Sequence, residues 1–136
     1  MRLIFVYNAN SDLFSSVTDY ARKLLKPDTY QCNLCKITYD NLGMKKRWKR
    51  FIKDLEAEGH EIEFLHKDEL EANYGSQDVP LPCCFSVKNS DGNEKERKKL
   101  RLLIPANEID KAKNIDDMMG IVRKSLSEVS SDSSNP

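Results

Sequence analysis

Cys32-Asn33-Leu34-Cys35 is the local pattern in this chain whose residue types and spacing could do chemistry. Two thiols at this separation can share a metal ion, cycle between dithiol and disulfide, or pack as small apolar side chains. A structural zinc site wants four ligands and often draws two from such a knuckle. Candidates for the rest are His66, His60, Cys83 and Cys84. A second knuckle is missing, and neighbouring cysteines in a strand point to opposite faces, so at most one of Cys83 and Cys84 could reach the same ion. The metal reading thus takes Cys32 and Cys35 as ligands of a zinc ion and leaves its remaining ligands open among His66, His60 and one of Cys83 and Cys84. In the redox alternative Cys32 is the more exposed, attacking thiol and Cys35 the resolving one. Lys36 and the basic run 45–50 could then lower a thiol pKa. Packing competes with both, because free cysteine is among the most buried residue types. Cys83-Cys84, in an apolar run, reads as packing.

Other constellations are weaker. His66 ends a predicted strand and could form an acid/base pair with Asp68 or Glu69, although a polar strand end explains them as well. Asn8, Asn10 and Ser11 follow the first strand, where a helix N-terminus could hold a small anion or simply be capped. Lys45-Lys-Arg-Trp-Lys-Arg50 could touch phosphate. Trp48 is in helical register with Met44, Phe51, Ile52 and Leu55, which favours a solvated basic face with the indole turned inward. No phosphate loop, dinucleotide fingerprint, G-x-S-x-G elbow or H-E-x-x-H pair occurs in the sequence.

The elements that must position these residues follow from periodicity. Arg2 to Tyr7 reads as a buried strand. Ser11 or Asp12 caps a helix carrying Leu13, Val17, Ala21, Leu24 and Leu25 on one face, and Pro27 ends it. The cysteine segment 29–39 is ambiguous between a strand and a loop with one helical turn. An amphipathic helix from Met44 to Leu55 follows, stopped by Gly59. His60 to His66 is a strand, Asp68 to Tyr74 a short helix ended by Gly75, and Cys83 to Val87 a strand. Asn89-Ser-Asp-Gly-Asn93 marks a turn towards a partner strand, Leu100 to Ile104. Asn114 caps a last helix bearing Ile115, Met118, Met119, Val122 and Leu126. The Ser/Asp-rich segment 127–136 reads as a disordered tail after one domain, 1–126.

With the cysteine segment and its helix set aside as an insertion, the order is β-α-β-α-β-β-α. That is the order of an α/β, thioredoxin-like fold, a mixed central sheet with helices on both faces. A proline before the third core strand, usually cis, is a hallmark of that fold, and Pro82 occupies the place. The attacking cysteine of redox-active members opens the first helix. Here that position reads Asn8-Ala-Asn-Ser-Asp12, so any thiol chemistry belongs to the inserted segment.

At 136 residues, 39% apolar and 32% charged, with zero formal net charge, the chain is a one-domain, charge-rich protein without a global basic field. Nucleic acid and membrane are therefore not expected partners. The apolar run Leu3–Tyr7 is too short for a span or a signal h-region, and the chain reads as cytoplasmic, where a structural disulfide framework is unexpected.

Tyr7-Asn-Ala-Asn-Ser11, Thr29-Tyr30, Cys32-x-Leu-Cys35, Thr38-Tyr39, Trp48, Phe64-Leu-His66 with Asp68-Glu69, and Leu81-Pro82 together resemble the pattern of a family of small, functionally uncharacterised bacterial proteins. They span about the first two thirds of the sequence. The resemblance implies a relative of the thioredoxin fold and treats Cys32, Cys35 and His66 as one site. Some members carry a GTPase label, which the missing phosphate loop does not support here. Two functions follow: a thiol protein, redox-active or metal-binding, at Cys32 and Cys35, or a non-enzymatic binding module. The latter would take a protein or small-molecule partner at the sheet's open end, near Asn8, Asn10, His66 and Pro82.

Overall fold

A computed structural model describes residues 1–9, 32–40, 43–87 and 99–133, with side chains placed through residue 129. The expected helix over Leu13–Leu25, its capping residues, Asn10, and the turn Asn89–Asn93 lie outside the described residues.

The described strands build a mixed four-stranded sheet. β1 (Arg2–Val6) runs parallel to β4 (Glu61–Leu65) and antiparallel to β5 (Cys83–Val87), and β5 pairs antiparallel with β6 (Arg101–Ile104). The order across the sheet is β4-β1-β5-β6. β1 is central and buried on both faces, which is why Leu3-Ile-Phe-Val-Tyr7 is a continuous apolar run rather than an alternating one.

Alternation decides which face each residue serves. Leu3, Phe5, Tyr7, Cys84 and Ile104 face the larger core, against Trp48, Phe51, Ile52 and Leu55 of α2 (Lys46–Ala57) and Met118 and Val122 of α5 (Ile115–Ser133). Ile4, Val6, Cys83, Phe85 and Val87 face the opposite way, against Leu70 of α3 (Lys67–Tyr74). Helices therefore cover both faces of an α/β sheet, as the sequence predicts. Trp48 sits at the centre of the larger core, its ring edge-on to Phe5 at 5.6 Å. Arg123 of α5 ties α2 down with a two-pronged contact to Glu58, at 2.6 and 2.8 Å.

Three boundaries differ from the sequence reading. Met44 is not helical: it lies in β3 (Gly43–Met44), paired with β2 (Tyr39–Asp40), and α2 begins after it. Gly43 takes a φ of +109° there, a conformation that side-chain-bearing residues rarely adopt, and this ends the helical register of Met44. A short α4 (Ala106–Ile109) follows β6. Lastly, α5 runs on to Ser133, into the segment expected to be disordered. Neither Gly nor Pro interrupts Ser127–Ser133, and propagating an existing helix costs little compared with nucleating one. Among the described residues no helix is long and apolar enough to cross a membrane.

Candidate functional site

The cysteine segment resolves as a helix, α1 (Asn33–Thr38), with Cys32 at its N-cap in extended conformation. A six-residue helix is marginal alone and depends on packing. Leu34, Cys35, Ile37 and Thr38 are all buried. Asn33, between the two cysteines, donates both amide hydrogens, to the carbonyls of Ile109 at 2.8 Å and Ala112 at 2.9 Å. Thr38 Oγ1 donates to the Leu34 carbonyl at 2.6 Å, and Tyr39 then leaves in extended conformation.

Cys32 and Cys35 are joined as a disulfide across the first turn, with Cα atoms 5.3 Å apart. The backbone N–H of Cys35 also donates to Cys32 Sγ at 3.3 Å. The expected difference in exposure is corrected: Cys32 is 1% and Cys35 0% exposed. Both face the larger core because α1 is held flat against it on Leu34 and Ile37. Lys36 is exposed on the helix's outer face.

Cys83 and Cys84 are free thiols on opposite faces of β5, as a strand requires. Burial pushes Cys83 up to about 12, and pushes Cys84 well above the ordinary thiol range. Both are therefore packing residues with no accessible thiolate.

The ends of the strands bring three other candidates together. β1 aligns Val6 with Leu65 and with Cys83, so Tyr7, His66 and Pro82 succeed these at one end of the sheet. Asn8 follows Tyr7 there, and the Ala9 carbonyl accepts the Lys67 N–H at 2.8 Å. The Leu81–Pro82 bond is cis, and Pro82 is buried. His66 Nδ1 contacts Glu69 Oε1, and the same carboxylate accepts the His66 backbone N–H at 2.9 Å. Glu69, one of the two acids beside His66, thus engages both its ring and its backbone. The buried Tyr7 ring lies 5.5 Å from the His66 ring, tilted to it, and 5.5 Å from the Tyr39 ring, edge-on to it, and its hydroxyl lies 3.4 Å from that of Tyr39. Burial pushes the Tyr39 phenol up, against the hydrogen bond from Tyr7. Tyr39 caps α1 by donating its N–H to the Cys35 carbonyl, so one chain of contacts links His66 to the cysteine helix. This Tyr7–Tyr39 link was missed in the sequence. Its only signal there is a tyrosine at the end of each of two elements.

Among the described residues no group of three or more His, Cys, Asp or Glu side chains is placed to hold a metal ion. Cys32, Cys35 and His66 do not form such a set: Glu69 engages His66, and the cysteines engage each other. No protein-family model matches the chain, and neither a curated protein nor a solved structure is significantly similar to it.

Proposed function

We propose that this chain is a cytoplasmic thiol protein of thioredoxin-like fold whose Cys32–Cys35 pair cycles between disulfide and dithiol. The observation that carries the proposal is the pair itself, bonded across the first turn of α1 with the Cys35 N–H on Cys32 Sγ. The mixed sheet, the helices on both faces and the cis proline before β5 support the fold assignment.

In the cycle, a partner thiolate attacks Cys32 Sγ and forms a mixed disulfide, and Cys35 leaves as the thiolate. A second partner thiolate then attacks the partner sulfur of the mixed disulfide. The partner is oxidised to a disulfide, and the pair is left as a dithiol after taking up two electrons and two protons. Because both sulfurs are buried, the first turn of α1 must open for the attack. Trapping tests this directly. Cys35→Ser exposed to glutathione disulfide should hold one glutathione on Cys32, whereas the wild-type chain should resolve it. Cys35→Ser that takes up no glutathione would contradict the cycle.

A second reading is favoured by the convergence of Asn8, His66 and Pro82 at one sheet end. In it the chain is a non-enzymatic binding module for a protein or small molecule. Partner retention that survives Cys32→Ser with Cys35→Ser but is lost on His66→Ala supports this reading over thiol exchange.

A further inference from the structure

Between Asn33 and Lys53 the chain carries seven cations and one acid, Asp40, although its formal net charge is zero. Six of the cations belong to α2 and its start: Lys45, Lys46, Arg47, Lys49 and Arg50 at the start and in the first half, and Lys53 just beyond the midpoint. All but Lys45 are exposed. Four of them, Lys45, Lys46, Arg47 and Lys49, crowd the positive end of the helix dipole, with no acid in the first turn. Cations there weaken a helix, so folding does not account for them. Among the described residues only Arg47 of the six is in an ion pair, with Asp116.

These charges border the cysteine turn. The Lys45 N–H donates to the Thr38 carbonyl at 2.8 Å, one helical turn beyond Cys35. Arg47 reaches Asp116 at the start of α5, and Asn33 donates to the Ala112 carbonyl immediately before it. α1 thus meets the start of α2 at its C-terminal end and the α4–α5 corner at its N-terminal end, and Lys36 adds a further exposed cation on α1 itself. Lys36 adjoins Cys35 in the sequence, and one helical turn of about 5 Å separates Cys35 from the Thr38 carbonyl that receives the Lys45 N–H. The Debye length is about 10 Å at 0.1 M salt, so the pull of such charges on an approaching ion is screened by added salt.

Resting on the reading of the pair as thiol-exchanging, we propose that Cys32–Cys35 exchanges preferentially with thiols carrying additional negative charge, drawn in by the basic half of α2. The reacting group is in every case a thiolate, which bonds to one cysteine sulfur as the other leaves. The opening of α1 is common to all thiols, so relative rates isolate the effect of charge.

The test is reduction of the oxidised full chain by cysteamine, 2-mercaptoethanol and 3-mercaptopropionate, each corrected for its own thiolate fraction and nucleophilicity. At about 0.01 M ionic strength the corrected rate should rise about threefold for each added negative charge. The preference should vanish in about 1 M salt. It should invert in the exposed-site variant Lys46→Glu/Lys49→Glu/Arg50→Glu, with circular dichroism confirming the fold. Equal corrected rates for the three thiols at low salt would overturn the proposal while leaving thiol exchange intact. No reduction of Cys32–Cys35 by any of them would overturn thiol exchange and this proposal with it.

Discussion

At the scale of single residues, each cysteine is defined by what surrounds it. Cys32 and Cys35 share one turn and a backbone hydrogen bond, while Cys83 and Cys84 are free thiols buried in the apolar clusters on the two faces of β5. The contrast has a pH consequence. Cys83 keeps its proton in the folded chain up to about 12, against an ordinary thiol value of 9.0. Above pH 9 the unfolded state releases that proton while the folded state retains it. The stabilisation is complete below pH 9 and is lost as pH rises towards 12, and Cys84 acts in the same direction. In Cys83→Ala the alkaline slope of unfolding free energy should be shallower by about 1.4 kcal/mol per pH unit, measured by urea titration between pH 9 and 11. An unchanged slope would contradict the assignment of Cys83 as a buried, protonated thiol. Asn33 is the other decisive residue. Asn33→Ala removes the side-chain donor from the Ala112 carbonyl and leaves the Ile109 carbonyl with the Ala112 N–H, and should cost about 1–3 kcal/mol in the same titration. A loss below about 0.5 kcal/mol would mean that Asn33 does not hold α1 in place.

At the scale of elements, the long periodic segments were legible and the short ones were not. Trp48, Phe51, Ile52 and Leu55 recur at helical spacing, and α2 buries all four. Trp48→Ala should cost about 3–5 kcal/mol, whereas Lys49→Ala, on the exposed face, should stay within about 0.5 kcal/mol. Similar losses for both would contradict the placement of the indole in the core. Two capping signals are seen in the structure: Asn114 Oδ1 accepts the Asp117 N–H at 2.8 Å, and Gly75 ends α3 with a φ of +82°. α1 was not legible because six residues carry less than two turns of pattern, and its formation depends on Asn33 reaching carbonyls about eighty residues away. Met44 was misplaced for a related reason. Its spacing from Trp48 fits a helix, but Gly43 turns the backbone and β2 takes Met44 as a strand partner. The exposure of Cys32 was misjudged because nothing local in the sequence shows which side of a short helix meets the core.

At the scale of the whole molecule, the order of strands and helices was enough to anticipate a mixed α/β sheet with covered faces. Its register could not be read, and register is what gathers Asn8, His66 and Pro82 at one end and sends Cys83 and Cys84 to opposite cores. His66 contacts Glu69, and Cys32 and Cys35 are bonded to each other. Protein purified without chelator or affinity metal should therefore carry far less than one zinc per chain by elemental analysis. Stoichiometric zinc would instead make Cys32 and Cys35 ligands of a structural site. The central claim is that Cys32–Cys35 is a working redox couple and not a fixed cross-link. Its most direct test is the reduction potential of the pair in glutathione or dithiothreitol buffers, read by alkylation and mass spectrometry of the Cys32–Cys35 peptide. A reversible two-electron midpoint between about −120 and −270 mV, the range of working dithiol couples, is the predicted result. A midpoint below about −300 mV, the range of structural disulfides, would contradict it.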